Sequence, residues 1–192
     1  MTSIVKATGK DTPLLSEIAT LTFIESHGRS AGQEDIQIYV TRNYNENVFK
    51  EELSDAKNIY HLIYYDNNPA GYSKIIFDIP WPGSKVKNIT KLERIYLLKK
   101  FYNLKLGSAL FHFNIHLSKR NNQAGMWLYV WKENERAVNF YKKNGFAIIG
   151  SYDFKISETH SNPNHQMLLL FEHNYVLCLF NQATRCRPLL KK

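Results

Sequence analysis

Apolar positions along this chain change period several times, and each change marks an element. Ile4 and Val5 open a short strand. Leu14, Leu15, Ile18, Leu21, Phe23 and Ile24 then recur at helical spacing and fade near Gly28. Asp11 or Thr12 is placed to cap that helix, with Pro13 in its first turn. A more polar helical region, roughly Gln33 to Leu53, carries Ile36, Tyr39, Val40, Tyr44, Val48 and Phe49. Ile59 to Tyr65 reads as a strand, Asp66-Asn67-Asn68-Pro69 as a hairpin turn, and Gly71 to Phe77 as the returning strand. Ile79 to Ser84, with two prolines and a glycine, is a loop.

The stretch from Thr90 to Ser118 organises the rest. Leu92, Ile95, Tyr96, Leu97 and Leu98 form a β-prone run too apolar on both faces for an exposed edge. Leu106, Leu110, Phe113 and Leu117 repeat at helical spacing, and Phe111 and Ile115 widen the stripe. Between the two periods lies Lys99-Lys100-Phe101-Tyr102-Asn103-Leu104-Lys105, opening onto Gly107-Ser108. A strand that feeds a helix through a cationic turn gathers free backbone N–H groups and the positive end of a helix dipole, which suits an anion such as phosphate. An ordinary βα turn with solvated lysines has the same local pattern.

Further on, Met126 to Trp131 is an apolar strand, Asn134 caps a helix from Glu135 to Lys143, and Gly145 sits just past its end. Phe146 to Phe154 and His165 to Phe171 read as the last strands, joined by a polar loop containing Pro163. The order is mixed α/β in a single domain, 1–172, followed by an extension, 173–192, without internal repeats or a dividing linker.

Charge adds one constraint. Twenty-five Lys and Arg against 17 Asp and Glu leave a net charge of +8, which favours anionic partners. The basic residues are scattered, and no block has the length of a nucleic-acid arm, so no nucleic-acid partner is expected. Residues 1–11 lack a signal-peptide core, and the longest late apolar run, Tyr175 to Phe180, is too short to cross a bilayer, so no membrane role is expected. The two cysteines, Cys178 and Cys186, have no metal-ligand neighbours; the expectation is a reduced, cytoplasmic setting and no metal.

Two segments together resemble the GNAT superfamily of acyl-CoA N-acyltransferases. The frame Tyr102-Asn103-Leu104-Lys105-Leu106-Gly107, followed by Ser108, resembles the family's motif Q/R-x-x-G-x-G/A, whose amides hold the pyrophosphate of acetyl-CoA. Gly107 fits; Tyr102 stands where Gln or Arg is usual, and Lys105 where the first Gly is usual. W-K-E-N-E-R-A-V-N-F-Y-K-K-N-G-F, Trp131 to Phe146, resembles the second motif, with Asn134, Ala137 and Tyr141 on one helical face. The resemblance implies a mostly antiparallel sheet of six to seven strands flanked by about four helices, with a V-shaped split between the fourth and fifth strands. It also implies acetyl-CoA as co-substrate, with Ile95, Tyr96 and Leu97 pairing with pantetheine and Tyr102 through Ser108 (Tyr102, Asn103, Leu104, Lys105, Leu106, Gly107 and Ser108) taking the phosphates. Asn134 and Tyr141 complete the cofactor side.

Acetyl transfer needs a neutral amine, whereas an alkylamine with a pKa of about 10.4 is protonated at neutral pH. By resemblance Glu93 is the base that takes this proton, although a plain ion pair with Arg94 or Arg136 explains the same residue. Tyr141 is then the usual proton donor to the leaving thiolate, and an amide among Ile95, Tyr96 and Leu97 supports the carbonyl oxygen. Leu92 to Leu97, T-F-I-E-S-H-G at Thr22 to Gly28, and G-S-Y-D-F-K-I with H-Q-M-L-L-L are similar to bacterial spermine and spermidine N-acetyltransferases. A polycation on a chain of +8 requires a local acidic pocket, for which Glu25, Glu34, Asp35 and Glu93 are the candidates; His27 either lines it or lies at the surface. Other readings are acetylation of a protein N-terminus or lysine, and a non-catalytic acyl-CoA-binding module. Relatives often form homodimers, and the aromatic start of the extension could cover an edge strand.

Overall fold

Side chains alternate along the strands into two separate cores. In β2 (Ile59–Tyr65), Tyr60 and Leu62 enter one core with the helices α1 (Thr12–His27), α2 (Gln33–Asn43) and α3 (Glu46–Ser54), whereas Ile63 packs on the opposite side with Leu106 and Leu110. The opposite face is covered by α4 (Leu106–Arg120) and α5 (Glu135–Lys143), whose Phe111, Ile115, Val138 and Tyr141 share a core with Met126, Leu128, Val130 and Met167. This computed structural model describes residues 1–171. The extension 173–192 and both cysteines lie outside the described residues.

Seven strands make one sheet, β1 (Thr2–Lys6), β2, β3 (Asn68–Ile76), β4 (Thr90–Leu97), β5 (Gly125–Trp131), β7 (Ser161–Leu170) and β6 (Ala147–Lys155) in spatial order. Neighbours are antiparallel except β4 and β5, which run parallel. That pair is joined at Thr90–Met126 and Lys91–Trp127 and nowhere farther along, so beyond Lys91 the two strands splay apart. This is the split between the fourth and fifth strands that the resemblance implied.

Three element boundaries differ from the sequence reading. The region 33–53 is two helices rather than one, giving five α-helices instead of about four. Tyr44 leaves the helix to enter the core, and Asn45 restarts it: its side chain accepts from the Val48 amide at 3.1 Å. The hairpin turn is tighter than expected, with Asp66 and Asn67 at positive φ and β3 beginning at Asn68. Pro163 lies inside β7, not in a loop; its register partner is Asp153 of β6, and β5 has already ended at the pair Trp131–Asn164. A proline is tolerated there because β5 is ending: the Pro163 carbonyl still accepts from the Lys132 amide at 2.9 Å, and only the return bond that a proline nitrogen cannot donate is missing. Asp11 does precede α1, but its carboxylate turns back to the Thr8 amide at 2.7 Å and caps the short 3₁₀ turn instead.

Close approach beside the open end of the split fixes one glycine. A Cβ on Gly71 would fall 2.2 Å from the Tyr96 carbonyl oxygen, so only glycine lets β3 pair with β4 opposite the site.

Candidate active site

β4 carries the site because it is bulged and half unpaired. Lys74 pairs with Arg94, but Ile75 pairs with Leu92, which leaves Glu93 as an extra residue in β4. A bulge re-aims side chains, and here Lys91, Glu93, Arg94 and Tyr96 all line one cavity in the split. Beyond the bulge the ladder alternation is regular. Leu98 donates its N–H to Ala70 at 2.9 Å, so Leu98 and Tyr96 direct their amides toward β3 while Ile95 and Leu97 turn theirs into the split. Of the three residues expected to present backbone groups, Ile95 and Leu97 do so; Tyr96 contributes its ring instead.

The split holds two cavities that meet along a seam. Ile95, Tyr96, Asn134, Ala137 and Tyr141 line both. One cavity continues toward the start of α4, along Leu97, Tyr102, Asn103, Lys105, Leu106, Gly107 and Ser108. Leu104 is the exception among the expected residues: it is exposed and does not line the cavity. The turn places Asn103 at φ 66° and Lys105 at φ 60°, so Lys105 takes the left-handed conformation that glycine adopts most readily. The first intrahelical bond runs from Ala109 to Lys105 at 3.0 Å, and no side chain caps the helix. Among the described residues, the amides of Leu106, Gly107 and Ser108 therefore have no protein acceptor. Gly107 keeps the turn close to β4: a Cβ there would sit 3.3 Å from Leu97 Cδ1.

A residue that the sequence reading considered only as a partner for Glu93 completes this end. Arg136, in the first turn of α5, stacks its guanidinium 4.1 Å from the centre of the Tyr102 ring and donates to Asn103 Oδ1 at 3.3 Å. A cation thus stands over Tyr102, the position where the family motif has Gln or Arg. Its signal was present in the sequence, beside Ala137 on the helix already singled out.

Asn134 Oδ1 accepts from the Ala137 amide at 3.1 Å and starts α5. Tyr141, two turns later, is buried among Phe111, Phe140 and Phe146. Burial, with Tyr96 adding to it, pushes the Tyr141 hydroxyl above its ordinary pKa, so it is a protonated donor throughout the neutral range.

The second cavity is walled by rings, including Phe23, Tyr39, Tyr44, Tyr129, Trp131 and Phe154, from elements far apart in the chain. Glu93 lies here, paired with Lys91 at 2.5 Å rather than with Arg94 or Arg136. Arg94 instead forms a bidentate pair with Glu52 (3.0 and 3.3 Å), which also holds Lys74 at 3.1 Å and Tyr60. His27 lines the cavity and is half-buried; it stacks on Phe23 with ring centres 4.7 Å apart. Burial lowers its pKa to about 4, so it is uncharged at neutral pH. The expected acidic pocket does not assemble: Glu93 alone of the four carboxylates lines this cavity. Glu25 accepts from the Lys99 amide at 2.7 Å, and Asp35 faces a separate surface hollow beside Arg42 and Lys155. Trp131 Nε1 and Asn164 Oδ1, both of lining residues, are buried without a hydrogen-bond partner among the described residues. Among the described residues no cluster of three His, Cys, Asp or Glu side chains is placed to hold a metal, and no helix is long and apolar enough to cross a membrane.

Comparison with known proteins agrees with this geometry. A family model described as the acetyltransferase (GNAT) family matches residues 17–146. An uncharacterized N-acetyltransferase in the pepI 3′ region of Lactobacillus delbrueckii subsp. lactis is 29% identical over 155 residues, covering 81% of this chain and 90% of that protein. Among solved structures, the PaiA N-acetyltransferase of Thermoplasma acidophilum in complex with coenzyme A superposes with a TM-score of 0.71 at 20% identity, covering 89% of this chain and 99% of that one. The ribosomal-protein-S18-alanine N-acetyltransferase of Escherichia coli gives 0.65 at 15% identity, over 88% and 94% of the two chains.

Proposed function

The chain belongs to the GNAT acetyltransferase family, and from that premise we propose that it moves an acetyl group from acetyl-CoA to a primary amine by direct attack, with both substrates in the split. The observation that carries this reading is the seam: Tyr141, a protonated hydroxyl, lines both cavities, one ending in unpaired helix amides and the other holding Glu93.

The residues fit the co-substrate. The amides of Leu106, Gly107 and Ser108, with Lys105 and Arg136 beside them, supply the donors and positive charge that phosphates require. Ile95 and Leu97 offer strand amides and carbonyls to a chain laid along β4, and Ala137 and Phe140 give it an apolar wall. Acetyl-CoA supplies an activated thioester. Glu93 takes the proton of the acceptor ammonium, directly or through water. An Ile95 or Leu97 N–H donates to the carbonyl oxygen as it gains charge. Tyr141 Oη gives its proton to the departing sulfur, and because its pKa is raised it regains one from solvent readily.

A polyamine acceptor was the finer expectation from sequence. The cavity gives it little support, since one carboxylate rather than four lines it and Lys91 already holds that one. A protein N-terminus or a lysine is compatible with the same chemistry, whereas an acyl-CoA-binding module without turnover leaves Glu93 and Tyr141 without a role. Calorimetric titration with acetyl-CoA and free-thiol release across an amine panel test the proposal together. Binding below millimolar and thiol release with at least one amine are expected; no binding at millimolar acetyl-CoA refutes it.

A further inference from the structure

If the ring-walled cavity receives the acceptor, as proposed above, its charges constrain what the acceptor carries. The bulge brings Lys91, Glu93 and Arg94 to the same cavity, and behind Arg94 a second cation, Lys74, shares its carboxylate partner Glu52. Three cations thus face two carboxylates. His27 adds no compensating charge, and Glu93 is held by Lys91. Polycations entering such a site would add positive charge where it is already in surplus, and like charge in a partly dry cleft is strongly disfavoured.

The hydrogen-bond inventory points the same way. A guanidinium has five N–H donors, and Arg94 makes three bonds, to both Glu52 oxygens and to the Tyr60 hydroxyl. Two donors are left over in a group that lines the cavity and keeps some contact with solvent. The Trp131 indole N–H is a buried donor without an acceptor among the described residues, and the buried Asn164 amide oxygen beside it is likewise unmatched. Buried donors without partners are uncommon in folded proteins, and where they line a cleft a ligand oxygen is the natural partner.

We propose that the acceptor is an amine that also carries an anionic group, a carboxylate in the simplest case, on an aromatic or apolar body. Its ammonium meets Glu93 in place of Lys91, and its anion is taken by the cavity's unmatched donors, Arg94 foremost. In the reaction one ammonium proton passes to Glu93, the N–C bond forms as the C–S bond breaks, and the sulfur takes the Tyr141 proton; the second proton on nitrogen restores the Tyr141 hydroxyl through solvent, and Glu93 releases its proton to water. Free amino acids and short peptides share this chemistry.

The test compares matched amines on the full chain: phenylalanine with phenethylamine, tyrosine with tyramine, together with the dipeptide Phe-Gly and spermidine. Thiol release from acetyl-CoA gives kcat/KM, and calorimetric titration into the CoA-bound protein ranks the same amines without turnover. The carboxylated member of each pair is expected to be at least tenfold better in kcat/KM and tighter in Kd. Relative strength of phenylalanine and Phe-Gly separates a free amino acid from a peptide. Arg94→Lys keeps the charge but loses the fork, and is expected to shrink the ratio to threefold or less. Should that variant unfold, Trp131→Phe removes one donor and is expected to shrink the ratio partially. Spermidine or the carboxylate-free amine performing as well or better, in turnover or in binding, overturns the proposal, as does an absence of binding by every carboxylated member. Carboxylate-selective binding without thiol release from any amine would instead sustain this proposal and remove the enzymatic reading it rests on.

Discussion

The two cavities of the split are built by different means. The one toward α4 is built almost entirely from two stretches, 95–108 and 134–141, with Ser26 of α1 added, and uses consecutive residues of a turn and unpaired backbone amides. The one toward α1 and α2 is assembled from rings and charges on α1, α2, β4, β5, α5, β6 and β7, brought together only by folding. Backbone donors in a local turn are largely indifferent to side-chain identity, so a degenerate motif can keep the geometry. A wall of side chains from seven elements changes with every substitution. The common half of the reaction is therefore expected to be robust, and the selective half specific to this chain.

The sharpest way to break that division is at the seam. Tyr141→Phe is expected to lower kcat by about 10²-fold or more, as loss of a general acid does, with acetyl-CoA Kd within about threefold of the parent. Stopped-flow thiol release and calorimetry read the two effects separately; an unchanged kcat would remove Tyr141 from the chemistry, and a lost Kd would make it a binding residue. Glu93→Gln is expected to cost about 10- to 100-fold in kcat/KM for the amine, again with acetyl-CoA binding intact. Glu93 sits on the selective side of the seam, so a large loss of acetyl-CoA affinity in this variant would contradict the separation of the halves.

The same division explains what could be read from sequence. Gly107, Asn134, Ala137 and Tyr141 keep fixed spacings in one or two adjacent elements, and the sequence pattern was enough to bring them to one cavity. Lys105 looked like a departure from the motif because identity was visible and φ was not; the backbone takes the glycine conformation regardless. Leu104 was included because a motif is read as a continuous window, while the turn directs that side chain outward. The acidic pocket failed for the opposite reason. Glu25, Glu34 and Asp35 lie on or beside helices near the cleft in sequence, yet which face each occupies depends on packing that no local period encodes. The break at Asn45 was hidden by Tyr44, Val48 and Phe49, which continue an apolar stripe across two separate helices.

Acid sensitivity sharpens the comparison at the next level of magnitude. His27 belongs to the ring-walled half and has its pKa lowered to about 4 by burial, against an ordinary value of 6.5. Above pH 6.5 both folded and unfolded chains keep it neutral and it contributes no pH dependence. Between 6.5 and 4 the unfolded chain binds the extra proton, so stability falls as pH falls, by about 1.4 kcal/mol per pH unit from this residue. His61, also lowered to about 4 by burial and, secondarily, by Lys6, adds a parallel loss outside the cleft. Urea unfolding at pH 7 and 5 should therefore give a slope that His27→Phe reduces by about one proton. A variant with the parent's slope would mean that His27 titrates normally and that the cavity around it is wet.

The smallest effect tests the robust half at its one irregular residue. Lys105 holds a left-handed conformation that disfavours a side chain by about 1–2 kcal/mol, while glycine would lose about 0.5–1 kcal/mol more chain entropy on folding. Lys105→Gly is thus expected to raise stability by about 0.5–1 kcal/mol, or about 1–4 °C in Tm for a chain of this size. If the charge of Lys105 beside the unpaired amides of α4 serves the phosphates, as proposed, the variant should bind acetyl-CoA a few-fold more weakly, with a shallower dependence on salt. Calorimetry at two ionic strengths and a thermal scan measure both. Tighter binding by the glycine variant would show that the side chain obstructs the turn, and the backbone amides alone would then account for the phosphate end.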